Sequence, residues 1–246
     1  MPLLILITAA LAQSPGVTLL DAGKAMPEAR PALVLVTPGV PESAYEVWVN
    51  AVEREGLDAW TLSFEPGEQG PDEVVAEVSG AFATLAQGRP TPVVLAHGYG
   101  GVFALLAEIE PSRLILVGTP LAAQPVAVQV RPEPGARASA LPWDPELLGE
   151  LPAAPYSGAL SRAYAGWATE FPAYKAPSCP TLLVASTRDP VAPPEVVRLP
   201  SQGWPARTWV RPGPLNYDAH DLSHAELLSD PDLARQVARF AAEESP

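Results

Sequence analysis

VVLAHGYGGVFALL (residues 93–106) contains the clearest structural signal in the chain. It begins with an apolar run typical of a buried strand, turns through a glycine-rich corner and continues directly into residues typical of a helix. A corner this sharp between a strand and a helix requires small residues around its apex. Ala96 and Gly100 lie two positions before and after Gly98, so the small residues are centred on Gly98.

Strands and helices alternate along the chain on both sides of this corner. The predicted strands share short, nearly continuous apolar runs; they are residues 32–37, 59–64, 92–97, 113–118, 181–187 and 207–212. The predicted helices carry apolar residues on one face; they are residues 42–55, 71–87, 100–110 and 230–243. Because right-handed crossovers place helices on both faces of a parallel sheet, this order predicts an α/β domain with a mostly parallel central sheet.

The alternation stops between residues 119 and 178. Ten prolines interrupt this segment, and aromatic residues recur in it, among them Trp143, Tyr156 and Trp167. A segment of this composition does not fit another unit of strand and helix. We therefore predict a cap inserted at about residues 119–178 into a single domain that spans residues 13–246.

Composition limits the classes of partner. The 246 residues are 48% hydrophobic and 17% charged, which suits one folded domain with an ordinary core. The formal net charge of −13 would repel nucleic acid and anionic membranes, so neither is expected as a partner. A single cysteine, Cys179, excludes an internal disulfide framework and a cysteine-rich metal site. After the first segment, no apolar run is long enough for a membrane-spanning helix.

Residues 1–12 are predicted to be a signal peptide. The apolar run from Leu3 to Ala12 ends in the small-x-small pattern of Ala10 and Ala12 that signal peptidase recognises, with Gln13 as the mature start. No Lys or Arg precedes the run, and a buried first strand would have a similar sequence. Export to the periplasm or the medium is therefore the expectation, and a cytoplasmic location is the alternative.

The frame Ala96-His97-Gly98-Tyr99-Gly100 is similar to the nucleophile elbow G-x-S-x-G, and through it the chain resembles the α/β-hydrolase superfamily over about residues 30–245. The family's order of nucleophile, acid and histidine implies roles for residues further along the chain. Asp189, in a loop directly after an apolar strand, takes the place of the acid that orients the histidine. His224, ahead of the last helix, takes the place of the catalytic base, and His220 is the competing candidate.

The resemblance also implies two backbone donors for an oxyanion. They are the N–H groups of Val40, in the loop that follows an early strand, and of Tyr99, directly after the apex. Members of the family often carry His-Gly in that loop, where this chain has Pro38-Gly39. The expected role of His97 is to pack beneath the corner.

Gly98 determines the expected function. Acyl transfer through a covalent intermediate requires a side-chain oxygen or sulfur beside a base, and glycine has no side chain. The sequence therefore predicts a serine-less, non-hydrolytic pseudoenzyme that binds a small ligand of the acyl or carboxylate type and needs no cofactor. The cap residues Trp143, Tyr156 and Trp167 are candidates for contact with an apolar part of the ligand, and packing between cap and sheet is the alternative.

The first alternative is an enzyme that works without the serine. Asp189 and His224 would activate a water molecule in the space at Gly98, which gives slow direct hydrolysis of an activated ester or a lactone. General-base assistance alone contributes about 10²- to 10⁴-fold, far less than full covalent catalysis. Lyase or isomerase chemistry by the same two residues is a variant of this alternative.

Two further alternatives involve other ligands. In one, His97, His220 and His224 hold a metal ion. His220 and His224 are four positions apart, which is the spacing of the two zinc-binding histidines in the zincin motif, but the general-base glutamate of that motif is missing. In the other, Gly98-Tyr99-Gly100 binds a dinucleotide, but Phe103 stands where that motif requires a small residue. Neither motif is complete in this sequence.

Overall fold

The computed structural model describes residues 17–21, 28–38, 40, 42–64, 69–123, 158–167, 170–187, 189, 191–198, 200–211, 224 and 226–243. The strands in these residues are β1 (Val17–Asp21), β2 (Pro31–Leu35), β3 (Asp58–Phe64), β4 (Val93–His97), β5 (Arg113–Val117), β6 (Thr181–Ser186) and β7 (Ala206–Arg211). The α-helices are α1 (Glu46–Arg54), α2 (Pro71–Ala86), α3 (Tyr99–Leu106), α4 (Gly158–Trp167), α5 (Pro194–Arg198), α6 (Glu226–Ser229) and α7 (Pro231–Ala242). A short 3₁₀ helix, Glu42–Tyr45, leads into α1.

The strands form one sheet in the order β1-β3-β2-β4-β5-β6-β7. β1 pairs antiparallel with β3, and all other neighbouring strands pair parallel. The predicted mostly parallel sheet is thereby confirmed. β4 lies between β2 and β5, so the carboxyl ends of these three strands meet at the edge where α/β sheets usually form their ligand sites.

Helices cover the sheet on both faces, as the alternation predicted. Side chains of α2, α3, α4 and α5 form one core cluster, and side chains of α1, α6 and α7 form the other. β2, β4, β5 and β6 are buried along their whole length. This double burial is the physical reason for their continuous apolar runs in the sequence.

α7 shows how a sequence signal sets a helix boundary. The side chain of Asp230 accepts the backbone N–H of Leu233 at 2.6 Å, and Pro231 occupies the first helical position. Leu233, Val237 and Phe240 are buried on one face of the helix, as their spacing predicted. The helix therefore packs against the sheet beside α1.

The segment predicted as a cap, residues 119–178, is described only in part. α4 lies within this segment and packs against the core cluster that contains α2 and α3. Several predicted features lie outside the described residues: the signal peptide (1–12), most of the cap (124–157) with Trp143 and Tyr156, and His220. In the part of the chain that the structure describes, no helix is long and apolar enough to cross a membrane.

Candidate active site at the end of the central strand

The corner joins β4 to α3. Gly98 lies between the two elements, with φ +54° and ψ −135°, a backbone conformation that residues with a Cβ rarely adopt. Its N–H donates to the carbonyl of Val117 at 3.0 Å, and its carbonyl accepts the N–H of Gly101 at 3.1 Å. The corner thus has the sharp turn from strand to helix on which a nucleophile elbow depends, with glycine at the apex.

Asp189 and His224 form a buried pair. Nδ1 of His224 lies 2.8 Å from Oδ2 of Asp189, and each residue is 1% exposed. Oδ1 of the same carboxylate accepts the N–H groups of Val191 (2.8 Å) and Ala192 (3.1 Å). Because a carboxylate oxygen accepts, Nδ1 of His224 donates, and the neutral imidazole then has its basic nitrogen at Nε2. A carboxylate that orients a histidine base has this arrangement.

The pair lies against the end of β5. Gly118, the first residue after that strand, has φ +57°, and a Cβ there would lie 2.8 Å from Oδ2 of Asp189 and 3.1 Å from Nδ1 of His224. Glycine therefore allows the backbone to pass close beneath the pair. Since β5 is the neighbour of β4, the structure brings Asp189 and His224 to the same edge of the sheet as the apex Gly98.

His97 connects the corner with the backbone at His224. Nε2 of His97 lies 2.9 Å from the carbonyl oxygen of His224, so this nitrogen carries the hydrogen and donates it. The centroids of the two imidazole rings are 4.1 Å apart. Burial, and repulsion by the neighbouring His224, hold the pKa of His97 well below its usual value of 6.5. His97 is therefore a neutral donor that holds the backbone of His224 in place.

The two predicted oxyanion donors have different surroundings. The N–H of Val40 donates to the carbonyl of Thr37 at 2.9 Å and closes a turn around Pro38. The prediction of an open donor at Val40 does not match this conformation, because the turn takes up that N–H group. The N–H of Tyr99 belongs to the first turn of α3, where backbone N–H groups have no acceptor within the helix.

Aromatic side chains of α4, in the segment predicted as a cap, pack against α3. The rings of Tyr99 and Tyr164 are stacked with their centroids 4.4 Å apart. Trp167 lies 5.8 Å from Tyr99 and 5.5 Å from Phe103, measured between ring centroids. Trp167 is partly buried in this cluster, so its contacts within the described residues are those of packing between cap and helix.

The described residues contain no group of three His, Cys, Asp or Glu side chains that could hold a metal ion. Two histidines of the predicted three-imidazole site, His97 and His224, each use one ring nitrogen in a hydrogen bond within the protein. The third, His220, lies outside the described residues.

A hydrogen-bond network on the β2 side of the corner was not predicted from the sequence. The hydroxyl of Thr37 donates to the carbonyl of His97 (2.6 Å) and accepts the N–H of Gly100 (3.3 Å). The hydroxyl of Tyr45 donates to Oγ1 of Thr37 (3.2 Å) and accepts the N–H of Thr37 (3.0 Å). Burial raises the pKa of Tyr45 to about 12, so its phenol stays protonated. The sequence signal for this network is a hydroxyl residue that follows a buried strand.

Comparisons with known proteins identify solved structures that resemble the whole chain. A monoacylglycerol lipase from Paleococcus ferrophilus has 17% identity and a TM-score of 0.61, covering 92% of this chain and 97% of that chain. A type II thioesterase from the borrelidin biosynthetic cluster has 15% identity and a TM-score of 0.61, with the same coverage of 92% and 97%. An esterase from Exiguobacterium antarcticum has 14% identity and a TM-score of 0.62, covering 92% and 95%.

These likenesses extend over nearly the whole length of both chains at low sequence identity, so they show the fold. They confirm the α/β-hydrolase fold predicted from the sequence. No protein-family model and no curated protein sequence matches the chain.

Proposed function

We propose that this protein, which has the α/β-hydrolase fold, binds a small ligand of the acyl or carboxylate type at the corner and does not hydrolyse it by the serine mechanism. The observation that carries the proposal is Gly98. The corner keeps the backbone conformation of an elbow, but its apex has no side chain. Without an oxygen or sulfur atom at the apex, no acyl-enzyme can form there.

The groups around the apex favour a ligand with oxygen acceptors. The N-terminal end of α3 begins directly after the apex, and its helix dipole places partial positive charge there. His224 adds an acceptor at Nε2 when it is neutral and a donor when it is protonated. Because Asp189 and His224 are buried, hydrogen bonds formed beside them are shielded from water and are stronger than at the surface.

A second candidate is direct hydrolysis by water, and the intact Asp189–His224 pair favours it. Nε2 of His224 would take a proton from water while the water oxygen attacks the ester carbonyl carbon. The proton would then pass to the leaving alkoxide, so that an acid and an alcohol are released. Asp189 would stabilise the imidazolium between these two steps. The acceleration of about 10²- to 10⁴-fold from general-base assistance limits the substrates to activated esters and lactones.

Turnover of short- and medium-chain p-nitrophenyl esters separates the two candidates. Wild type, Gly98→Ser, His224→Ala and the double variant Gly98→Ser/His224→Ala are purified side by side. We expect no wild-type turnover above that of His224→Ala, because the apex has no nucleophile. Gly98→Ser should gain turnover, and the double variant should lose it again. Wild-type turnover that His224→Ala abolishes would overturn the first candidate and support the second.

Binding is measured on the wild-type protein by the rise in Tm with sodium butyrate, relative to sodium chloride at the same ionic strength. A ligand that binds the folded state raises Tm in proportion to the logarithm of its concentration above the Kd. We expect such a rise for butyrate and related short carboxylates. No rise with any of them would contradict the proposed binding function.

A further inference from the structure

Two threonines flank the corner from opposite sides. Thr37 follows β2 and Thr119 follows β5, the two strands that neighbour β4. Both residues are buried, with 0% and 1% of their surface exposed. Each faces the first turn of α3, because a Cβ at Gly100 would lie 3.0 Å from the Thr37 hydroxyl and a Cβ at Gly101 would overlap the Thr119 side chain.

The hydroxyl groups of the two threonines differ in their hydrogen bonding. That of Thr37 is bonded to the carbonyl of His97, the N–H of Gly100 and the hydroxyl of Tyr45. That of Thr119 has no hydrogen-bonding partner in the part of the chain that the structure describes. A buried hydroxyl that has lost water without gaining a partner costs free energy, so folded proteins nearly always provide one.

The position of Thr119 indicates what its partner is. Gly118, directly before it, lies against Asp189 and His224. Gly101, against which the Thr119 side chain lies, belongs to the first turn of α3, at the positive end of the helix dipole. Thr119 is therefore in contact with the first turn of α3 and is one residue from the glycine that lies against the pair of Asp189 and His224.

We propose that Thr119 is a ligand-binding residue whose hydroxyl donates a hydrogen bond to a carboxylate oxygen of the ligand at the corner. The inference rests on the proposed function and narrows its ligand to a short-chain carboxylate. A carboxylate accepts hydrogen bonds and carries negative charge, so it can use the Thr119 hydroxyl together with the positive end of the α3 dipole. An amine or other cation would instead meet donors and the positive end of the helix dipole.

Three variants test the inference. Thr119→Val removes the hydroxyl and keeps the shape of the side chain, and Thr119→Ser keeps the hydroxyl. Thr37→Val is the matched control, because it removes a buried hydroxyl with three partners from the other side of the same helix turn. Urea unfolding without ligand gives the stability of each variant, and the rise in Tm with sodium butyrate at constant ionic strength gives the affinity.

We expect Thr119→Val to be at least as stable as wild type without ligand, because none of the hydrogen bonds among the described residues is lost. Its affinity for butyrate should fall by about ten- to a hundredfold, the usual effect of losing a hydrogen bond to a charged group. Thr119→Ser should keep the affinity within about threefold, since it retains the donor. Thr37→Val should lose stability without ligand, because it breaks bonds that hold the corner.

Each contrary result has a distinct meaning. Equal butyrate affinity of wild type and Thr119→Val overturns the inference and leaves the proposed function standing. A loss of stability in Thr119→Val as large as in Thr37→Val also overturns it, because the hydroxyl would then serve the fold. No butyrate effect on the wild-type Tm contradicts the proposed function, and the inference fails with it.

Discussion

The apex at Gly98 and the pair of Asp189 and His224 meet at one edge of the sheet, but they are held in different ways. The apex keeps a backbone conformation, held by hydrogen bonds to Val117 and Gly101. The pair keeps its side chains, which are bonded to each other and, through Asp189, to two backbone N–H groups. The apex therefore has the backbone geometry of the turn but no side chain, whereas the pair has both of its side chains in contact.

Apart from the link through His97, the two regions are stabilised by different hydrogen bonds. The described hydrogen bonds of the apex join backbone groups of Gly98, Val117 and Gly101. Those of the pair come from the loop after β6 and from His224 ahead of α6. The pair is therefore in place although the apex has no side chain, so a single Gly98→Ser substitution tests the proposed function without altering the pair.

The largest effect is expected from Asp189→Ala. This substitution removes the acceptor from Nδ1 of His224 and from the N–H groups of Val191 and Ala192, all in the protein interior. Breaking a buried pair of this kind usually costs about 3–5 kcal/mol, because the groups left behind have lost both water and partner. We expect a decrease of that size in the free energy of unfolding, measured by urea denaturation.

Asp230→Ala is the matched control for this substitution. Asp230 also accepts a backbone N–H group, that of Leu233 at 2.6 Å, but it does so as the half-buried N-cap of α7. Loss of such a cap costs about 1 kcal/mol. If Asp189→Ala costs no more than Asp230→Ala, the buried pair stabilises the fold no more than an ordinary helix cap does, which would contradict the difference drawn between the pair and the apex.

The sequence is sufficient for those features of the fold and site that depend on local patterns. The strand predicted at residues 92–97 is β4 (Val93–His97), because a continuous apolar run identifies a strand buried on both faces. Gly98, Asp189 and His224 were assigned through the resemblance to a family motif, and their roles stay predictions. β1 was not predicted. Its five residues lie at the edge of the sheet and form a strand only through pairing with β3, in which Val17 lies opposite Phe64.

Contacts between distant loops could not be predicted. Nε2 of His97 bonds the carbonyl of His224, 127 positions later in the chain. The bonds of Thr37 with His97 and Tyr45, and the turn that takes up the N–H of Val40, likewise depend on how the ends of separate strands meet. Hydropathy patterns specify which residues reach this edge of the sheet, but not which donor finds which acceptor there.

An intermediate effect is expected from Gly98→Ala, which tests whether the apex keeps its conformation. A Cβ at φ +54° and ψ −135° is strained, so the free energy of unfolding should fall by about 1–3 kcal/mol. The matched control is Gly80→Ala in α2, where a Cβ would meet nothing within 4 Å. That substitution should raise stability by about 0.5–1 kcal/mol. Urea denaturation of both variants measures these opposite changes.

A gain in stability at both glycines would show that Gly98 does not hold the corner in this conformation. The double variant Gly98→Ala/Asp189→Ala sharpens the comparison further. If separate contacts stabilise the two regions, its loss should equal the sum of the single losses within about 0.5 kcal/mol. A larger departure would show that the apex and the pair are energetically coupled.

The smallest effect is a pH dependence that arises from His97, which joins the two regions. Burial and the neighbouring His224 hold its pKa in the folded protein well below 6.5. In the unfolded chain the imidazole returns to about 6.5, so below that pH the unfolded state binds a proton that the folded state does not. The stability contributed by His97 is therefore complete above about pH 6.5. It decreases as the pH falls toward the folded pKa, by at most about 1.4 kcal/mol per pH unit.

Urea unfolding of wild type and His97→Gln at about pH 7.5 and about pH 5.5 measures this dependence. Gln can still donate a hydrogen bond to the carbonyl of His224, but it does not titrate. Carboxylates titrate in both proteins, so their effect cancels in the difference, and wild type should lose more stability than the variant. Equal losses would mean that folded His97 takes up its proton at an ordinary pH. The link between corner and pair would then carry a positive charge beside His224.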